Sequence, residues 1–183
     1  MNEIKFYGRG GQGVVMASQM LGSAFFKAGM YPQCYSMFGG ERRGAPVLSY
    51  LRVDKEKILL KCEIKRPDEL IYFDPSQINL EEVQRLMPHG GRILVNTNQS
   101  KGTFKGLLRF TLGLIDAQRI VERLGIGPMI NTTVLGAYCR LAGSLAIDHV
   151  VDAIREMVPE KIEANVEAAR QGYSGLTLIP MET

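Results

Sequence analysis

The sequence has 183 residues, 45% of them hydrophobic and 22% charged, with a net charge of +3. A chain of this length buries a core without disulfides, and so mild a charge gives no electrostatic case for a nucleic-acid or membrane partner. The three cysteines, Cys34, Cys62 and Cys139, lie far apart without C-x-x-C spacing, which speaks against a local metal motif and suits a reducing cytoplasm.

The N-terminus leads directly into Ile4-Lys5-Phe6-Tyr7, with no basic stretch followed by an apolar run, so no signal peptide is expected. No segment approaches the ~18 apolar residues of a membrane span. Residues 4–7 are a strand candidate, and Gly8-Arg9-Gly10-Gly11-Gln12-Gly13 follows at once. A helix is predicted over 14–28, because Ala17, Met20, Leu21, Ala24, Phe25 and Ala28 recur at helical spacing, and Gly29 stops it. Residues 31–37 form a second strand, and 38–46 a loop rich in glycine and charge. Residues 47–53 and 57–62 read as a hairpin around Asp54-Lys55-Glu56.

Strands and helices then alternate. Residues 69–73 form a strand that ends at Asp74-Pro75; 80–86 form a short helix; 92–95 form a strand that runs into Asn96-Thr97-Asn98. Residues 110–115 form a further strand, and Asp116 is the natural N-cap of the next helix. Asn131-Thr132-Thr133 precede a small-residue helix that runs through Cys139. Ile147, Val150, Val151, Ile154 and Val158 mark another helical stripe. Pro159 is expected to open a last helix as its first residue, with Gly172 ending it. This alternation predicts one α/β domain over residues 1–183. Its architecture is a three-layer α/β/α sandwich with a mostly parallel, mixed sheet and a Rossmann-like first βα unit.

Gly8, Gly10 and Gly13 match G-x-G-x-x-G between a strand and a helix, the context in which backbone approaches a phosphate at a helix N-terminus. A tight turn without a ligand has the same pattern. A nicotinamide cofactor further needs an acidic residue about 20 positions on, at the end of the second strand, to hold the ribose. The strand Tyr31-Pro32-Gln33-Cys34-Tyr35-Ser36-Met37 has none, and Glu41 comes late, beside two arginines. The glycine loop therefore fits a phosphate or a partner backbone better than NAD.

Phe38-Gly39-Gly40-Glu41-Arg42-Arg43-Gly44-Ala45-Pro46-Val47 is the second unusual segment. Arg42 and Arg43 offer forked donors suited to phosphates and carboxylates, set in a conformationally permissive loop. A solvated charged loop is the plain alternative. Asp74 reads equally as a turn residue before Pro75 and as a group at the ligand edge of the sheet. Asn131 and Thr132 read as a helix start or as ligand contacts.

Taken in order and spacing, Gly8 to Val15, Phe38 to Val47, Asp74-Pro75 and Asn131-Thr132 resemble one family: the gamma subunit, or domain III of fused forms, of pyruvate and ketoisovalerate:ferredoxin oxidoreductases. The resemblance runs from about residue 3 to residue 172, and the 38–47 segment is closer to the pyruvate and branched-chain type than to the 2-oxoglutarate type. It implies a subunit of a complex that decarboxylates a 2-oxoacid on thiamine diphosphate and passes electrons through iron–sulfur clusters to ferredoxin, forming an acyl-CoA. Thiamine diphosphate, magnesium and the clusters then belong to alpha, beta and ferredoxin-like delta partners. The gamma chain is associated with coenzyme A, and the matching positions here are Gly8, Arg9, Gly10, Gly11, Gln12, Gly13, Arg42, Arg43, Asn131 and Thr132.

The rest of the sequence fits that division of labour. Clustered cysteines for [4Fe–4S] centres are lacking, as is a Gly-Asp-Gly…Asn segment of the thiamine–magnesium type. His89 and His149 stand apart from other catalytic candidates, so no catalytic residue and no metal ligand is assigned to this chain. Two other readings are a structural assembly subunit and a free-standing NAD(P)-binding oxidoreductase.

Overall fold

The computed structural model describes residues 1–38 and 44–182, Phe38 through its backbone alone. The elements are β1 (Asn2–Arg9), α1 (Val14–Lys27), β2 (Tyr31–Phe38), β3 (Pro46–Asp54), β4 (Glu69–Tyr72), α2 (Leu80–Leu86), β5 (Arg92–Asn96), β6 (Thr111–Ile115), α3 (Ala117–Leu124), α4 (Asn131–Ala142), α5 (Ile147–Met157), α6 (Ile162–Gly175) and β7 (Thr177–Ile179). Short 3₁₀ helices cover Pro75–Gln77 and Lys101–Leu107.

The sheet has the order β2-β3-β1-β4-β5-β6-β7. Its centre, β1-β4-β5-β6, is parallel, while β3 and β7 run antiparallel to their neighbours. Central strands such as Ile93-Leu94-Val95 are apolar without alternation because both faces of the sheet are covered. One face packs Ile4, Phe6, Leu51, Ile71 and Leu94 under α1 and α3 to α6. The other packs Leu70, Tyr72, Ile93, Val95 and Leu112 under α2 and the second 3₁₀ helix. The expected three-layer mixed α/β architecture is thus formed, with unequal helical layers. Among the described residues no helix is long and apolar enough to cross a membrane.

Four expectations are corrected. Residues 57–62 are not a strand, because both edges of β3 are already taken, by β1 and β2. The segment instead crosses the open face of β2 and β3. Side chains tie it there: Gln33 Nε2 donates to the Leu60 carbonyl (2.7 Å), the Ile64 amide to the Tyr35 hydroxyl (2.9 Å). The hairpin is formed by β2 and β3, which residues 39–45 connect in sequence. Pro159 does not open α6, which starts at Ile162 behind Lys161 with φ 50. Gly172 lies inside α6, where it serves helix packing. Strand β7, only three residues long, was not foreseen.

Candidate functional site

β1 and β4 lie side by side and parallel, and the chain leaves them in opposite directions, from β1 toward β2 and from β4 toward β5. Their carboxyl ends flank the switch point at which open α/β sheets form a crevice. The glycine loop occupies it. Gly8 is required by close packing: a Cβ there would lie 2.4 Å from Cγ2 of Val14 and 2.9 Å from Cβ of Phe73. Gly11 (φ 97°) and Gly13 (φ 80°) hold left-handed conformations that a side chain would strain.

Gln12 folds back on the loop, its Oε1 accepting from the Arg9 amide at 2.7 Å. Gly10 is bonded to the stem of the 38–46 loop: its amide donates to the Ala45 carbonyl (2.9 Å), and its carbonyl accepts from the Gly44 amide (3.2 Å). These two bonds extend the β1–β3 pairing beyond Arg9↔Pro46 and bring both glycine-rich segments together. Arg42 and Arg43 lie outside the described residues.

Arg9 turns toward the exit of β4. Its Nε is ion-paired to Asp74, Nη2 donates to Ser76 Oγ (3.0 Å), and Nη1 to the Gly44 carbonyl (3.3 Å). Asp74 also accepts the Ser76 amide at 2.9 Å and so caps the 3₁₀ turn Pro75–Gln77. Burial tends to raise the Asp74 pKa, but hydrogen bonds from Arg9 and Ser76 outweigh it and hold the carboxyl below its usual range. Gln77 adds a strut, its Nε2 donating to the Gly8 carbonyl at 3.0 Å. Sequence reasoning missed Ser76 and Gln77. The available signal was the Asp-Pro-Ser-Gln turn directly after a strand.

α1 begins without a side-chain cap and without an acidic residue in its first turn. The amides of Gly13 and Val14 have no backbone acceptor among the described residues, so the helix presents free donors and a partial positive charge toward the crevice. Asn131 starts α4 beside this point: a Cβ on Gly13 would lie 2.9 Å from Asn131 Nδ2. The third glycine of the motif therefore lets α1 and α4 begin in contact. Asn131 Oδ1 accepts its neighbour's amide, that of Thr132 (3.0 Å). Thr132 is fully buried, and its hydroxyl donates to Asn165 Oδ1 at 3.0 Å, joining α4 to α6.

On the far side of the Asp74 turn lies an open pocket of about 440 Å³, lined by Asp74, Ser76, Leu80, Gln99, Thr103 and Phe104 among others, and by no residue of the glycine loop. The start of α1 at the glycine loop suits an anionic group. It does not suit a nicotinamide dinucleotide. β2 is separated from β1 by the antiparallel β3, and the Asp74 carboxylate at the end of β4 is engaged by Arg9.

Comparison with known proteins gives a consistent result. The family described as pyruvate ferredoxin/flavodoxin oxidoreductase matches residues 3–175. The pyruvate/ketoisovalerate oxidoreductases common subunit gamma of Thermococcus kodakarensis is 40% identical over 179 residues, 95% of this chain and 96% of the relative. The pyruvate synthase subunit PorC of Methanothermobacter marburgensis is 39% identical over 175 residues, 94% of this chain and 96% of the relative. The crystal structure of the pyruvate oxidoreductase subunit PORC of Thermotoga maritima superposes with a TM-score of 0.84 at 29% identity, covering 97% of each chain. The 2-oxoglutarate:ferredoxin oxidoreductase of Magnetococcus marinus shares the fold alone, with a TM-score of 0.75 at 17% identity over 94% of this chain and 30% of that one.

Proposed function

The chain belongs to the pyruvate ferredoxin/flavodoxin oxidoreductase family and is a gamma subunit of a 2-oxoacid:ferredoxin oxidoreductase, and from that premise we propose that it supplies part of the coenzyme A site of the complex. The glycine loop and the start of α1 receive phosphate oxygens on backbone amides, and Arg42 and Arg43 add guanidinium forks to the same anionic end. Asn131 supports the loop from behind. Thiamine diphosphate, magnesium and iron–sulfur clusters are held by alpha, beta and ferredoxin-like delta partners in the cytoplasm. The complex decarboxylates a 2-oxoacid of the pyruvate or branched-chain type, delivers the electrons to ferredoxin and releases the acyl group on coenzyme A.

The observation that carries this reading is the pair of backbone bonds between Gly10 and the Gly44–Ala45 stem. They hold Gly44 and Ala45, next in sequence to Arg42 and Arg43, against the glycine loop that precedes α1. An assembly role has its own support: Leu59 is 79% exposed and Leu60 46%, in a segment flanked by Lys57 and Lys61. Adjacent exposed leucines of this kind suit a covered interface.

The test is coenzyme A saturation of the assembled complex with Arg42→Ala and with Arg43→Ala, with subunit association measured separately. Loss of a charge-assisted contact to phosphate is worth about 1.5–3 kcal/mol. At least one variant is therefore expected to raise the KM for coenzyme A about tenfold. Normal coenzyme A kinetics together with weakened assembly would make the loop a subunit interface instead.

A further inference from the structure

We infer that Asp74 and Ser76 are positioning residues, which hold the Arg9 guanidinium so that it fixes the Gly44–Ala45 stem against the glycine loop and thereby sets the affinity of the complex for coenzyme A. This rests on the coenzyme A reading above and assigns Arg9 an indirect part in it.

The geometry distinguishes a strut from a ligand contact. Arg9 spends Nε, Nη1 and Nη2 on three protein acceptors, from Asp74, Gly44 and Ser76. Those acceptors lie 35, 65 and 67 positions away in sequence, so the contacts join the exits of β1 and β4 to the entrance of β3. The β4 exit is shaped for this task. Ser76 donates its amide to Oδ1 of Asp74, which turns Oδ2 and the Ser76 hydroxyl toward the same guanidinium. The planar fork of arginine matches such a divergent pair of acceptors, and the single ammonium of lysine does not.

Stability alone gives a poor account of the cluster. The Arg9 side chain is 41% exposed, and partly exposed ion pairs contribute little to folding. What the cluster does secure is the relative placement of two backbone segments, which is the quantity that binding of a rigid phosphate by amides depends on. Small misplacements of such groups have large effects, up to about a hundredfold for a shift near 1 Å.

The experiment uses the whole complex with Asp74→Asn, Ser76→Ala, Arg9→Ala and the Arg9→Ala/Asp74→Asn pair. The KM for coenzyme A, the KM for the 2-oxoacid and kcat are measured, and assembly is checked by size-exclusion chromatography. Asp74→Asn is expected to raise the KM for coenzyme A about tenfold or more, with the 2-oxoacid KM moving far less. Ser76→Ala, a milder change that removes one acceptor, is expected to shift it in the same direction. The double variant should be no worse than Arg9→Ala, because both changes remove one interaction. Equal shifts in the two KM values, additive effects in the double variant, or an unchanged coenzyme A KM would each overturn the inference. Loss of assembly in Asp74→Asn together with a normal coenzyme A KM in Ser76→Ala would do the same. If Arg42→Ala or Arg43→Ala raises the coenzyme A KM while Asp74→Asn does not, the strut is wrong and the coenzyme A reading stands. If none of these variants does so, the coenzyme A reading itself fails.

Discussion

Gly172 of α6 lies against the main chain of Thr133 in α4, so close that a Cβ on Gly172 would fall 2.0 Å from the Thr133 carbonyl oxygen. Gly136 makes the reciprocal contact, with a Cβ position 1.8 Å from the Ala169 carbonyl oxygen. The two helices thus touch through their backbones. This contact places α6 so that Asn165 receives the Thr132 hydroxyl and the first turn of α4 is sealed beside the glycine loop.

Gly172→Ala follows directly from that contact. Alanine is the better helix former, so propensity alone would favour the change by about 1 kcal/mol. The new methyl meets a backbone carbonyl, which cannot rotate away, and overpacking costs about 1–3 kcal/mol or more. The net expectation is a lower Tm, measured by thermal unfolding of the purified chain. An unchanged or raised Tm would mean that α4 and α6 separate more easily than their packing implies.

Lys5 gives a pH-dependent test. It is 5% exposed, with Nζ 5.3 Å from the Tyr7 ring centre and 5.4 Å from that of Tyr50, and no carboxylate in ion-pair contact among the described residues. Burial lowers its pKa from 10.5, partly offset by Glu82 and Glu63. A lysine whose folded-state value is depressed opposes folding while it is charged, so this contribution improves as pH rises from the folded value toward 10.5. Lys5→Met is therefore expected to match the wild type or exceed it by up to about 1 kcal/mol at neutral pH, since replacing a buried charge with an apolar side chain is often neutral or stabilising. The gap should close as the pH approaches 10.5. Denaturant unfolding at several pH values checks this, and a gap that widens with pH would contradict it.

The purified chain alone is expected to show no 2-oxoacid oxidation when given thiamine diphosphate, magnesium, coenzyme A and an artificial electron acceptor. Activity should appear on reconstitution with the partner subunits. Among the described residues no cluster of three or more His, Cys, Asp or Glu side chains could hold a metal, and Cys139 is buried with its thiol pushed up to about 12. Turnover by the isolated chain, followed by acceptor reduction, would place catalytic groups on this subunit.

Local chemistry was legible in the sequence. The spacing of Ala17, Met20, Leu21 and Ala24 reported α1, Asp116 reported the start of α3, and apolar runs such as Ile93-Leu94-Val95 reported strands covered on both faces. Each of these signals comes from residues within a turn or two of one another, where side-chain period and capping chemistry act. The partner of β3 was not legible, because the apolar run at 57–62 resembles a strand and only the prior pairing of β1 and β2 with β3 excludes it. Gly172 read as a helix end for the same reason: its value lies in the approach of α4, which its own neighbours in sequence do not encode. The site divides in the same way. The glycine loop and the Asp74 turn were visible as separate local motifs. That Arg9 joins Asp74, Ser76 and Gly44 was decided by the parallel pairing of β1 with β4 and the antiparallel pairing of β1 with β3, which bring groups 35 to 67 positions apart around one guanidinium.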